Sequence, residues 1–159
     1  MTQVATGAYH MAFISQSQGL HTVGMGKNGR LGHNSENTLE TPQRVDYFSG
    51  NNVRSVACGT RHTLALTNDG QIYSWGFGGG SPNLYSFTKW FRRPSALGHG
   101  VNVDSFSPAP IEVLQNEKIV QATAGHDFSF ALAENGKVYG WGSGLTFHTL
   151  RPTSIPVEI

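Results

Sequence analysis

Seven histidines, one cysteine and a spaced glycine triplet are the residues of this chain that invite a chemical reading. A structural or catalytic metal needs several ligands brought to one point, by spacings such as His-x-x-x-His on a helix or Cys-x-x-Cys in a turn. Neither spacing occurs. His126 and Asp127 are neighbours, and neighbours on a strand point to opposite faces. Cys58 lies in the small-residue run Val56-Ala57-Cys58-Gly59, a buried strand by composition, where a thiol is inert. Gly24-x-Gly26-x-x-Gly29 has the spacing of a dinucleotide phosphate loop. That chemistry needs a strand before it, a helix after it and an acid downstream for the ribose. Here Arg30-Leu31-Gly32 follows with no helical period, so these glycines read as turn formers. There is no Gly-x-Ser-x-Gly elbow, and the ten acids are dispersed. The expectation is a protein without catalytic residues, metal ligands or a cofactor, and not an enzyme.

Most of these residues recur at fixed places, which changes what they mean. Residues 56–76 read VACGTRHTLALTNDGQIYSWG. Residues 122–142 read ATAGHDFSFALAENGKVYGWG, and residues 4–24 read VATGAYHMAFISQSQGLHTVG. The three align without a gap, at spacings of 52 and 66 residues. Gly7, Gly59 and Gly125 fall in one column, and Gly24, Gly76 and Gly142 in another. His10 and His62 share a column, Trp75 and Trp141 share one with Val23, and His33 and His99 share a fourth. Side chains that recur with a repeat belong to its structure, so the histidines are expected to orient turns and the tryptophans to pack units together.

Each unit carries the same order of short-strand signals. VRSVACG is a small-residue strand, HTLALT alternates into the turn Asn68-Asp69-Gly70, and QIYSWG follows. A fourth strand is expected at PQRV (42–45), PIEV (110–113) and PVEI (156–159), giving about twelve strands and no helix. Along HTLALT, Thr63, Ala65 and Thr67 would face one way, small enough for a neighbouring sheet to approach, and Leu64 and Leu66 the other. Twenty glycines, 38% hydrophobic and 13% charged residues suit short strands and tight turns better than helices. A net charge of +1 supplies no general attraction to nucleic acid or anionic membrane. The apolar runs are too short for a spanning helix, and no secretory or transit signal is seen, so an intracellular protein is expected: cytoplasmic or nuclear, or in an organellar or cytoskeletal assembly.

The run from Cys58-Gly59 through His62-Thr63-Leu64-Ala65-Leu66, Asp69-Gly70, Trp75-Gly76 and the later Leu97-Gly98 resembles the repeat of the regulator of chromosome condensation family, over residues 4–159. The resemblance implies an all-β fold, a β-propeller of radially arranged four-stranded antiparallel blades, normally seven to a ring. This chain supplies about three: repeat 1 at 4–52, repeat 2 at 53–118 and repeat 3 at 119–159. Three blades leave two flanks open. The expected partners are therefore other protein subunits or further blades that complete or cap the ring.

The period is broken once. Repeat 2 carries fourteen additional residues, in an inserted loop at about 79–96. From Tyr85 to Arg93 it reads YSFTKWFRR, with four aromatics, three positive charges and no acid. Tyr85, Phe87, Lys89, Trp90, Phe91, Arg92 and Arg93 are the candidate partner-binding residues, of the types that anchor protein interfaces; the bland reading is local cover of the propeller edge. Arg30 and Arg61 are secondary candidates. The leading functional reading is a non-enzymatic propeller module, a protein-interaction scaffold or subunit of a larger assembly. The family resemblance implies an alternative, a guanine-nucleotide exchange or regulatory factor for a small GTPase with chromatin docking. A third reading, single-stranded nucleic-acid binding through the insertion, ranks below both, because only three charges converge there.

Overall fold

A computed structural model of the chain describes residues 3–16, 19–48, 52–79, 94–143 and 152–159. Twelve strands form three four-stranded antiparallel sheets, each built from one contiguous repeat. Blade 1 holds β1 (Gln3–Thr6), β2 (His10–Ser15), β3 (Gly19–Gly24) and β4 (Leu39–Arg44). Blade 2 holds β5 (Val53–Cys58), β6 (His62–Thr67), β7 (Ile72–Gly76) and β8 (Ser105–Pro110). Blade 3 holds β9 (Ile119–Ala124), β10 (Phe128–Ala133), β11 (Val138–Gly142) and β12 (Thr153–Glu158). The first strands of adjacent blades lie together, so the blades fan out from a common inner edge.

The registers repeat with the sequence. His10 pairs with Gly24, His62 with Gly76 and Phe128 with Gly142 across the central hairpins. The third and fourth strands slip register at one place in every blade, just before Gly24, Gly76 and Gly142. Each of these glycines has φ near +113°, a conformation that L side chains rarely adopt, and a Cβ on Gly76 would lie 2.5 Å from the Arg61 carbonyl oxygen. The Gly7 column serves close approach between blades: a Cβ there would meet the Gly59 carbonyl oxygen at 2.3 Å.

Alternation along the second strand feeds two different cores. Ala65 joins Ala12, Ile14, Leu20, Val45, Val56 and Trp75 between blades 1 and 2. Leu64 and Leu66 join Ile72, Ile111, Ile119, Ala131 and Trp141 between blades 2 and 3. All of β6 is buried, because blade 2 is covered on both flanks. Trp75 and Trp141 are fully buried, one in each core. Each blade thus has a forward flank facing its successor and a rear flank facing its predecessor.

The fourth strands begin earlier than their sequence signals. β8 ends at Pro110, and Glu112–Leu114 is a 3-10 turn, so PIEV is almost wholly outside the strand. β4 and β12 likewise start at Leu39 and Thr153, ahead of their prolines. Proline lacks an N–H, so it fits an outermost strand as long as its missing donor faces outward. The residue directly after each fourth strand turns inward: the N–H of Val45, Ile111 and Ile159 donates to the carbonyl of Leu20, Ile72 and Val138 respectively.

Candidate functional site

The histidines that looked chemical are spent at the blade junctions. His10 Nε2 lies 2.8 Å from Thr63 Oγ1, across the junction of blades 1 and 2. His62 Nε2 lies 3.0 Å from Ser129 Oγ, across the junction of blades 2 and 3. Thr63 donates its single hydroxyl proton to the Arg30 carbonyl at 2.8 Å, and Ser129 donates its own to the Ala96 carbonyl at 2.9 Å. Each hydroxyl must then accept from the imidazole, which places a proton on Nε2 of both rings. Burial holds them neutral. It pushes His10 down to about 3, with help from the Arg30 charge, and His62 down to about 4 against the opposing pull of Asp127.

The carbonyls at the end of this relay belong to a loop that plugs each junction. In blade 1 the plug is Arg30-Leu31-Gly32-His33, in blade 2 Ala96-Leu97-Gly98-His99, and Leu31 and Leu97 are buried. Thr22 Oγ1 donates to the Leu31 carbonyl at 2.7 Å and meets His33 Nε2 at 2.9 Å. Ser74 Oγ repeats this with the Leu97 carbonyl at 2.6 Å and His99 Nε2 at 2.9 Å. Burial lowers the pKa of His33 and His99 as well. The Trp141 indole donates to the Ala96 carbonyl at 2.7 Å, whereas Trp75 Nε1 has no partner among the described residues. A net hydrogen bond of this kind is worth about 1 kcal/mol, and orphaning a buried partner costs about 1–3 kcal/mol.

Arg30, read from sequence as a loop contact, is only 2% exposed. Its guanidinium donates to the Lys27 carbonyl at 2.8 Å and the Thr60 carbonyl at 3.3 Å, and lies 5.6 Å from the Tyr9 ring centroid. It ties the plug to blade 2 and is not offered to a partner. Cys58 is buried as expected, and burial pushes its thiol up to about 12. Gly26 and Gly29 belong to a 3-10 turn at Lys27–Gly29, and a Cβ on Gly26 would collide with the Asn37 carbonyl oxygen at 1.9 Å. That crowding leaves no room for a phosphate at Gly26. Among the described residues no group of three or more His, Cys, Asp or Glu side chains could hold a metal ion. No helix among them is long and apolar enough to cross a membrane.

The open part of the molecule is the loop end between blades 2 and 3. Arg61 stacks on the Phe77 ring at 3.8 Å and pairs with Asp127 at 3.1 Å. Thr60 Oγ1 and His126 Nδ1 meet at 2.7 Å beside them. A small cleft is lined by Arg61, Phe77, Gly79, Pro94, Asp127 and Ser143, among others. Gly79 and Pro94, the described residues on either side of positions 80–93, both line this cleft. Tyr85, Phe87, Lys89, Trp90, Phe91, Arg92 and Arg93 themselves lie outside the described residues.

Comparison with known proteins agrees with this architecture. Two models of the regulator of chromosome condensation (RCC1) repeat match, at residues 19–66 and 119–145. The chain is built of RCC1 repeats. It is 38% identical over 143 residues to the human E3 ubiquitin-protein ligase HERC2, covering 89% of this chain and 3% of that protein. It is 31% identical over 144 residues to the ultraviolet-B receptor UVR8 of Arabidopsis thaliana, covering 91% of this chain and 30% of that one. Among solved structures it resembles human WBSCR16 (TM-score 0.76, 22% identity) over 99% of this chain and 38% of the other. It also resembles yeast RCC1 (Prp20), solved with Kap60 bound (TM-score 0.73, 25% identity), over 99% of this chain and 36% of the other. A second Prp20 structure, from Saccharomyces cerevisiae and titled for binding to Gsp1p and histones, is similar in fold (TM-score 0.67, 21% identity, 99% and 38% coverage). The chain therefore spans less than two-fifths of each of these proteins. The neighbours are β-propellers, and the three RCC1-repeat sheets here are blades of that kind.

Sequence reasoning found the repeat columns but not the relay. Thr63 reads simply as a small residue on one strand face and Ser129 carries no reading of its own, and their partners lie 53 and 67 residues away. The available signal was the recurrence of the Leu-Gly-His loop motif after repeats 1 and 2 only.

Proposed function

We propose that this RCC1-repeat arc is a non-catalytic protein-interaction module, in which rigid blade junctions hold the loop end between blades 2 and 3 for a protein partner. The observation that carries the proposal is the use of His10 and His62. The side chains best suited to acid–base work are buried, neutral and committed to the next blade's hydroxyl. Their role is to fix blade to blade, and a fixed scaffold with loop-borne recognition is a common division of labour. The recognising surface is the insertion with its seven candidate residues, Tyr85, Phe87, Lys89, Trp90, Phe91, Arg92 and Arg93, together with the half-exposed Arg61–Phe77 stack at its base. Trp90→Ala combined with Arg92→Ala is expected to remove the co-purifying partner while Tm stays within about 2 °C of the wild type. Retained binding with a large fall in Tm would assign the insertion to packing and end this reading.

A second reading is regulation of a small GTPase, supported by the likeness to yeast RCC1 and by the Prp20 structure titled for Gsp1p and histone binding. Accelerated release of labelled nucleotide from a candidate GTPase on adding this chain is the expected result, and release at the intrinsic rate across a panel would dismiss it. Single-stranded nucleic-acid binding through the insertion would show a salt slope of about two or three charges.

A further inference from the structure

The two open flanks of the arc depart from the internal junctions in matching ways. Inside the chain, the forward flank offers a histidine (His10, His62) and the rear flank of the next blade a hydroxyl (Thr63, Ser129). On the open forward flank of blade 3, Phe128 takes the histidine's register position, opposite Gly142 as His62 is opposite Gly76. On the open rear flank of blade 1, Met11 takes the hydroxyl's position, opposite Val23 as Thr63 is opposite Trp75. Both members of the polar pair are replaced, and both by apolar residues. Losing one member would leave a buried polar group without a partner; losing both together leaves an apolar contact of the thioether–aromatic kind.

Volume is exchanged in the same coordinated way. On the rear flank of blade 1, Phe13 stands where blades 2 and 3 have Ala65 and Ala131, and Val23 where they have indoles. The ring gained at one position offsets the indole lost at the other, so the flank keeps its bulk. A polar tie is retained too. Gln3 Oε1 accepts the Val56 N–H at 2.7 Å across the first junction. Gln121 occupies the register position of Gln3 on blade 3 and is exposed, while Val4, the counterpart of Val56, is 49% exposed on blade 1.

We propose that the forward flank of blade 3 packs head to tail on the rear flank of blade 1 of a second copy of this chain, Phe128 against Met11. Gln121 then takes the Val4 N–H of that copy, as Gln3 takes that of Val56. The contact is heterologous, so it either closes into a ring or extends.

The test is sedimentation of the 159-residue chain from about 1 to about 200 μM, a range set by the affinity expected of a transient interface. The wild type should associate above its 17.2 kDa monomer. Met11→Asp and Phe128→Asp should each weaken association by at least about tenfold, since each would bury an unpaired carboxylate. An equimolar mixture of the two variants should form a one-to-one complex, because Met11 of one and Phe128 of the other remain intact. A wild type that stays monomeric, variants that associate like the wild type, or a mixture that does not recover would each overturn the proposal, the first pointing to a further blade or a different protein as the occupant. If either variant loses the buried-tryptophan fluorescence of the folded state, Val4→Asp and Ile159→Asp, at positions 49% and 55% exposed on the same two flanks, replace the pair.

Discussion

Stability should fall steeply in mild acid, and the junction histidines set the size of the effect. In the unfolded chain a histidine titrates near 6.5; in the fold burial holds His62 near 4 and His10 near 3. Between those values the unfolded state binds more protons than the native one, so stability increases with pH. The contribution is complete above pH 6.5 and is lost as pH falls through the window toward 4 and 3. At about 1.4 kcal/mol per unit, the full loss is about 3 kcal/mol for His62 and about 5 kcal/mol for His10, to order of magnitude. A single domain has about 5–15 kcal/mol in total, so the arc should approach its unfolding midpoint near pH 4–5. His33 and His99, lowered in the same direction, add to the trend. The assay is urea unfolding followed by tryptophan fluorescence at steps from pH 7.5 to 5.0, above the range where ordinary carboxylates titrate. His62→Gln keeps an N–H that can reach Ser129 but removes the titration. It should lower the pH slope by about 1.4 kcal/mol per unit below 6.5 and leave stability at pH 7.5 less affected than His62→Ala. Wild-type stability that is flat from pH 7.5 to 5.0, or an unchanged slope in His62→Gln, would refute the assignment of buried neutral imidazoles to the junctions.

Three other substitutions probe separate parts of the scheme. Thr63→Val conserves shape but orphans His10 Nε2 and the Arg30 carbonyl, so urea unfolding should show a loss of about 2–4 kcal/mol. Trp141→Phe should cost about 1 kcal/mol more than Trp75→Phe by the same measurement, because among the described residues only the first indole has a hydrogen bond to lose. Gly76→Ala forces a side chain into φ +113° and against the Arg61 carbonyl, and a fall in Tm of about 4–8 °C is expected from roughly 2 kcal/mol of strain.

Much of the fold is legible in the sequence because each blade is contiguous and its periodicity is local. The alternation in HTLALT anticipates two cores, with Ala65 turned to one and Leu64 and Leu66 to the other. The fourth strands are less legible: proline marks their neighbourhood but not their start, and PIEV proves to be a turn. The junction chemistry is not legible at all at the level of single residues. A histidine looks the same whether its partner is a metal, a substrate or a threonine 53 residues away. Arg30 misleads for a related reason, since a charged residue in a glycine-rich loop reads as solvated until the loop is seen to enter a junction. What the columns do supply is the choice between roles: a polar residue that recurs with the period serves the period.

The plug after the third strand also separates length from structure. Gly76–Gly78 leave blade 2 in fixed contact with Asp104, and Ser95–Leu97 re-enter the junction under hydrogen bonds from Ser74, Ser129 and Trp141. Whatever joins those two anchors only has to close a loop. Loop-closure entropy grows with the logarithm of length, about 0.6 kcal/mol for each doubling. Lengthening the chain between Gly79 and Pro94 is thus far cheaper than lengthening it anywhere the blades meet, and a foreign peptide grafted there should be displayed without disturbing either core. The same arithmetic accounts for a repeat that tolerates fourteen extra residues at this position while its strands keep their registers.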